Sequence, residues 1–285
     1  MHLRQRLCDT KDLQKESRDD FLSLFKEAFG HSLPIDTWEH FYLHMPYGQT
    51  VSFTYYDGDT MVAHGGLIPQ QLIDDHGRRI GYFLQTAVMV GKKFQNLVVF
   101  KSLLDWMDGY VEGKGLFSVA FPNQQSFLPF IKLLRWRNVH EYSIEQFVLD
   151  KTNVSMCKNV WQWERYRYCL PEEEEFVSWR SELNNFKIYE QPAFKIVYKE
   201  YEGSMEILDV TVKQDGAWIP VSKIMRELGY IRVNIPGCYL GVCELGVLTK
   251  QGAVGIPQRM CFYPPEHTHI RYEDIKPSLL LSDVF

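Results

Sequence analysis

Apolar residues in the first half of the chain recur at two different spacings. Phe21, Leu24, Phe25 and Ala28 lie three and four apart behind Asp19 and Asp20, and Gly30 follows, which predicts an amphipathic helix with a start and a stop signal. Asp36 with Glu39 fits a capping box, and Trp38, Phe41 and Tyr42 form the stripe of a second helix that ends before Pro46. From Val51 the period becomes two. Val51, Phe53 and Tyr55 share a face, Asp57-Gly58 turns the chain, and residues 61–72 return it as a hairpin. The turn 74–77 leads into a long third strand that ends at Val90. Helical spacing resumes through Val99, Leu103, Trp106 and Tyr110 and stops at Gly113 and Gly115. A strand over 116–121, a short helix carrying Phe127, Phe130, Ile131 and Leu134, and a strand over 139–149 complete this half.

Residues 150–175 break the periodicity and end in an acidic run, so we place a boundary between 1–150 and 151–285. Beyond it come a helix around Phe176 and Trp179, a hairpin turning at Glu202-Gly203 and a strand ending at Val212. A helix through Val221, Ile224, Met225 and Leu228, stopped by Gly229, and a strand over 230–235 follow. Segments 86–109 and 208–229 share strand, polar turn, helix and closing glycine, as a shortened duplicate would. The expected fold class is α/β, with two units of similar plan, each a mixed central sheet flanked by helices.

Residues 88–104 carry the most chemical information. A strand enters the polar turn 91–96 and passes directly into a helix, which aims unpaired amides of a helix N-terminus at solvent and suits an anion. Here the sequence resembles the GNAT acyl-CoA N-acyltransferases, whose coenzyme loop follows the fourth strand as Arg/Gln-x-x-Gly-x-Gly/Ala. Gln95 holds the first position, whereas Val98 and Phe100 stand at the glycine positions, so the Phe100 side chain is expected to point away from a bound pyrophosphate. Phe121-Pro122-Asn123, Ser126, Phe130 and Trp136 are similar to the family's Asn and following short helix, with Ile131 at the position of its usual Tyr acid. The Phe-Pro-Asn-x-x-Ser form, and the ending 279–285 as a final strand, resemble tandem-GNAT acyltransferases of nucleotide-linked amino sugars in surface-polysaccharide clusters, anthrose N-acyltransferases among them.

The resemblance implies acetyl-CoA or another acyl-CoA as co-substrate. Its thioester and pantetheine arm would lie on Val88, Met89 and Val90, with phosphates on Gln95, Asn96, Leu97, Val98 and Val99 and with Asn123 alongside. Acyl transfer to an amine also needs a neutral nucleophile and a stabilised oxyanion. His64, beside Gly65-Gly66 where a ligand could approach, and His76 in its turn are candidates for the ammonium proton. Gln85 and Thr86 are candidates to orient the acceptor, and Tyr230 could stack on a base from the second unit. The plain alternatives are that His64 is a hydrogen-bonded core residue, His76 an exposed turn residue and 85–90 an ordinary core strand.

Composition narrows the choice. With 285 residues, 45% hydrophobic and 24% charged, the chain is globular, and a net charge of −5 argues against a dedicated nucleic-acid binder. No apolar run reaches the roughly 20 residues of a membrane span, and the start lacks a signal peptide's apolar centre, so a cytoplasmic location is expected. Six scattered cysteines read as packing residues. His40 and His44 are a helical turn apart, but without a third ligand no metal is expected. The expected function is N-acyl transfer from acyl-CoA to the amine of a nucleotide-linked amino sugar, in a possible homo-oligomer. A GNAT-like binding or scaffold protein without catalysis, or an aminoacyl transferase, is the alternative.

Overall fold

The computed structural model describes residues 3–9, 18–149, 166–171, 174–214, 216–264, 266–267 and 269–281, so most of the expected boundary segment, with Cys157, lies outside the described residues. The strands are β1 (Arg4–Asp9), β2 (Val51–Asp57), β3 (Thr60–Asp74), β4 (Arg79–Val90), β5 (Ser118–Ala120), β6 (Arg137–Leu149) and β7 (Tyr168–Cys169). They continue with β8 (Lys187–Gln191), β9 (Phe194–Tyr201), β10 (Ser204–Val212), β11 (Ile219–Pro220), β12 (Arg232–Pro236), β13 (Cys243–Glu244) and β14 (Leu248–Tyr263). The helices are α1 (Arg18–Phe29), α2 (Ile35–Leu43), α3 (Leu97–Gly113), α4 (Gln124–Leu133), α5 (Glu174–Asn184) and α6 (Val221–Leu228).

Instead of two separate sheets, twelve strands join into one, in the order β1-β2-β3-β4-β5-β14-β6-β12-β10-β9-β8, with β7 on β3. From β2 inwards the order is three antiparallel strands, a parallel β5 and an antiparallel β14. From β8 inwards it is three antiparallel strands, a parallel β12 and an antiparallel β6. The two sequences of pairings are the same. Each half of the chain therefore places its last long strand inside the other half's sheet, where β14 and β6 pair from Leu248↔Leu149 to Phe262↔Arg137. The segment 279–281, expected in a final strand, is a 3-10 turn whose Leu279 and Leu280 are buried, and 282–285 lie outside the described residues.

Helices cover both faces of the sheet. α3 turns Leu103, Leu104, Met107 and Val111 inwards at helical spacing, and with Phe130 and Trp136 they bury Phe53, Leu67 and Phe83. On the other face α1 and α2 bury Phe21, Leu24, Phe25, Trp38, Phe41 and Tyr42. Each such side chain contributes about 1.5–3 kcal/mol of transfer free energy. His40 belongs to this packing: its ring stacks on Trp179 at 4.9 Å, while His44 is exposed.

One buried carboxyl opposes the rest. Asp108 on α3 is 4% exposed; its Oδ2 accepts from Trp136 Nε1 at 3.1 Å, and its Oδ1 has no hydrogen-bond partner. Burial pushes its pKa up to about 8, against which the Trp136 bond works. A pKa raised on folding means that the folded state keeps the proton longer, so stability is full below about pH 4 and falls as pH rises towards 8. Asp108→Asn should therefore gain on wild type by roughly 5 kcal/mol between pH 4 and pH 8. Denaturant melts at the two pH values check this, and a constant difference would reject it.

Candidate active site

β4 and β5 run together for only three residue pairs, Phe83↔Ser118, Leu84↔Val119 and Gln85↔Ala120. Beyond Gln85 the two part, because β4 continues to Val90 while the chain after Ala120 enters the cap of α4. Among the described residues, the edge of β4 over 86–90 that faces away from β3 thus lacks a strand partner. At about 3.4 Å per residue, Thr86 to Val90 gives roughly 14 Å of exposed backbone edge.

This split opens a groove with two adjoining chambers. The deep one, about 230 Å³, lies against Leu84–Val88, with Phe29, Phe100, Ala120, Phe121, Asn123, Ser126 and Phe130 among its walls. The outer one, about 290 Å³, runs along Val88, Met89 and Val90 to Gln95, Asn96 and Leu97, and shares Phe29, Phe100, Asn123 and Ser126 with the first.

Two helices start at this groove. Asn96 caps α3, its Oδ1 accepting from Val99 N at 2.9 Å, while Phe100 N donates to Asn96 O at 3.2 Å. Among the described residues, the Leu97 and Val98 amides are the donors of that first turn left without a hydrogen bond. Asn123 caps α4, its Oδ1 accepting from Gln125 N at 3.0 Å and Ser126 N at 2.9 Å. Neither first turn carries an acidic residue, so both positive helix ends face the groove uncompensated from within. Among the described residues, no carboxylate, histidine, lysine or tyrosine lines either chamber.

The structure thus brings Gln85, Thr86, Val88, Met89, Val90, Gln95, Asn96, Leu97 and Asn123 together on one groove. Gln85 is 6% exposed; its Nε2 contacts Met107 Sδ at 3.8 Å and its Oε1 has no hydrogen-bond partner. Val98 and Val99 are not on the lining; Val98 is 77% exposed and directed to solvent. Phe100, expected to point away, lines both chambers, because positions 96, 97 and 100 share one helical face. Phe130, one residue before the expected Tyr position, also faces the groove, and Ile131 does not.

Besides Val98 and Val99, three of the expected site residues lie elsewhere. His64 is fully buried: its Nδ1 is 3.0 Å from Ala87 O and its Nε2 3.2 Å from Ser52 Oγ, so neither nitrogen is open to an ammonium proton. Burial lowers its pKa to about 4, with the Ala87 bond opposing. The space left by Gly65 is taken by α3 rather than a ligand, since a Cβ there would stand 2.3 Å from Met107 Sδ. His76 sits in an exposed turn, 3.7 Å from Asp75, away from the groove lining. Tyr230 packs edge-on against Tyr198 at 6.2 Å in the second half and is not on the lining.

Phe29 is a wall residue that sequence reasoning passed over. It ends α1, is 40% exposed and packs tilted against Phe25 with ring centroids 4.6 Å apart; an aromatic directly before the helix-stopping Gly30 was its one sequence signal. The second half has a counterpart to the split, since β10 pairs with β12 only at Met205↔Val233 and Glu206↔Asn234. There the chain's own C-terminal segment covers β10. Ser278 Oγ donates to Leu208 O at 3.4 Å, and Lys276 Nζ and Tyr239 OH bind the Asp209 carboxylate at 3.0 and 2.9 Å.

No family model matches the chain, and no curated protein matches it. Solved structures do. A conserved protein of unknown function from Enterococcus faecalis V583, described as a probable N-acyltransferase, superposes with a TM-score of 0.63 at 12% identity, over 92% of this chain and 72% of that one. A GCN5-related N-acetyltransferase from Kribbella flavida gives 0.60 at 15%, over 91% and 71%. Another from Anabaena variabilis gives 0.58 at 11%, over 91% and 72%. In the described residues no cluster of three or more metal-ligating side chains occurs, and no helix is long and apolar enough to cross a membrane. With its split mixed sheet and its helices on both faces, the chain has the fold of the GCN5-related N-acetyltransferases.

Proposed function

We propose that this chain is an acyl-CoA-dependent N-acyltransferase whose donor lies in the groove between β4 and α4. The observation that carries the reading is the unpaired backbone edge of 86–90, running from an apolar chamber to the open N-terminus of α3. Anions are favoured at such helix ends, so the CoA phosphates belong at Leu97 and Val98, with the pantetheine amides along β4. The thioester then reaches Ala87 and Thr86, where strand N–H groups donate to the oxyanion as the amine attacks. The C–N bond forms, the C–S bond breaks, and the thiolate leaves and takes up a proton. Thr86 and Ser126 are the hydroxyls on the chamber wall that can relay that proton, giving one to the sulfur and regaining one from the nitrogen, which loses a proton on becoming the amide. Gln85 Oε1 accepts an N–H of the incoming amine, which reaches the carbonyl already neutral or gives its proton to water.

For the acceptor we carry forward the amine of a nucleotide-linked amino sugar, in cytoplasmic surface-polysaccharide synthesis, on the resemblance of the 121–126 wall. A chamber without a titratable group also suits a binding module that has lost catalysis, and one experiment separates the two. Acyl-CoA is incubated with amino-sugar nucleotides and the free thiol is followed with a thiol reagent. The enzyme reading expects thiol release that depends on the acceptor. CoA binding without release on any acceptor would leave the binding module.

A further inference from the structure

We infer that His64 is a positioning residue, which holds the carbonyl of Ala87 and so sets the bulge that presents β4 to the groove. The inference rests on the acyl-transfer reading of that groove. Between β3 and β4 the register runs from Gly66↔Thr86 to His64↔Met89, so two steps on β3 face three on β4. The extra residue is taken up at 87–88, and Ala87 adopts φ +46, a left-handed conformation that is unfavourable for a non-glycine residue. A bulge of this kind re-aims the backbone groups beside it, here at the point where β4 loses β5 as a partner. Such a conformation persists only when its surroundings dictate it.

The surroundings are the His64 ring. A carbonyl can only accept, so Nδ1 carries the hydrogen and donates to Ala87 O at 3.0 Å, and Nε2 accepts from Ser52 Oγ at 3.2 Å. Ser52 is on β2, His64 on β3 and Ala87 on β4, so the ring braces three strands. Phe21 meets the ring edge-on at 4.6 Å and Tyr42 lies at 6.0 Å, which fixes its plane. Burial keeps the ring neutral, the state in which this pair of bonds exists. The brace acts on the reaction through backbone geometry alone, since the ring itself has no exposure.

The test uses the full chain with His64→Asn, His64→Leu and Ser52→Ala, measured as kcat, KM for acyl-CoA and CoA affinity per folded molecule. The Asn amide nitrogen sits where Nδ1 sits and can still donate to Ala87 O. His64→Asn and Ser52→Ala should therefore keep kcat within about three-fold, whereas His64→Leu should lower it about 10²-fold with little change in KM, as loss of oxyanion donors does. Equal losses in His64→Asn and His64→Leu, or an unchanged kcat in His64→Leu, overturn the inference. If His64→Leu does not fold, His64→Gln, which keeps the Ser52 bond but not the Ala87 donor, takes its place under the same criterion. A wild-type chain without turnover removes the acyl-transfer reading, and this inference with it; an active wild type with insensitive variants removes this inference alone.

Discussion

Replacing Ser126 by tryptophan should abolish coenzyme binding while the fold stands. Ser126 is on the wall common to both chambers, so an indole there occupies the passage between the helix end and the split of the strands. The local cost is small. Asn123 Oδ1 still receives Gln125 N and the amide of residue 126, and what is lost is the Ser126 hydroxyl's shared bond to Asn123 Oδ1 and Asn123 O, worth about 1 kcal/mol. CoA affinity should fall at least about 100-fold, equivalent to about 2.7 kcal/mol. In a thermal melt the variant should begin within a few degrees of wild type and show no upward shift with CoA. A full CoA-induced shift in Ser126→Trp would place the coenzyme elsewhere.

The second large effect is on stability in mild acid. His64 has its pKa lowered from 6.5 to about 4 by burial. A lowered folded pKa means that the unfolded chain binds the proton first, so stability is full above about pH 6.5 and is lost as pH falls towards 4. The loss from this one ring comes to about 3 kcal/mol. His40, whose pKa burial also lowers, adds to the same slope. Denaturant melts at pH 7, 5.5 and 4.5 should show the decline, and His64→Asn, which does not titrate, should show a shallower one. Parallel slopes for the two proteins would mean that His64 is not the buried neutral group.

The elements that lead into the groove were legible because each follows one clear period. The stripe of α3 and the alternation of β2 to β4 act locally, and the strand-turn-helix order at 88–97 marks the anion end without any tertiary information. β1 was hidden because Arg4, Gln5, Arg6 and Asp9 are polar, and of its described side chains Cys8 is the one fully buried, as suits an edge strand. β14 was hidden by its own punctuation. Gly252, Gly255 and Pro257 read as turns, yet they lie at register shifts in a strand that β6 and β5 pair from both sides. The leucines at 279–281 imitate a strand because the segment is buried beside β10.

The same reasoning explains the histidine. In sequence, a buried imidazole with two partners and a catalytic base with an open nitrogen are the same letter. What decides between them is Ser52 and Ala87, 12 and 23 residues away on neighbouring strands. Gly65 did signal close approach, but the approaching group is Met107. Phe100 shows the converse: the glycine position it fills is real, and its ring forms a wall of the groove instead of leaving it.

Calorimetric titration of CoA into the wild-type chain beside Ser126→Trp bears most directly on the groove between β4 and α4 as the donor site. One CoA per chain is predicted for wild type, because the matching edge on β10 is covered by residues 276–281, and none for the variant. A wild-type chain that takes up no CoA at millimolar concentration, or a variant that binds it equally well, would contradict that assignment.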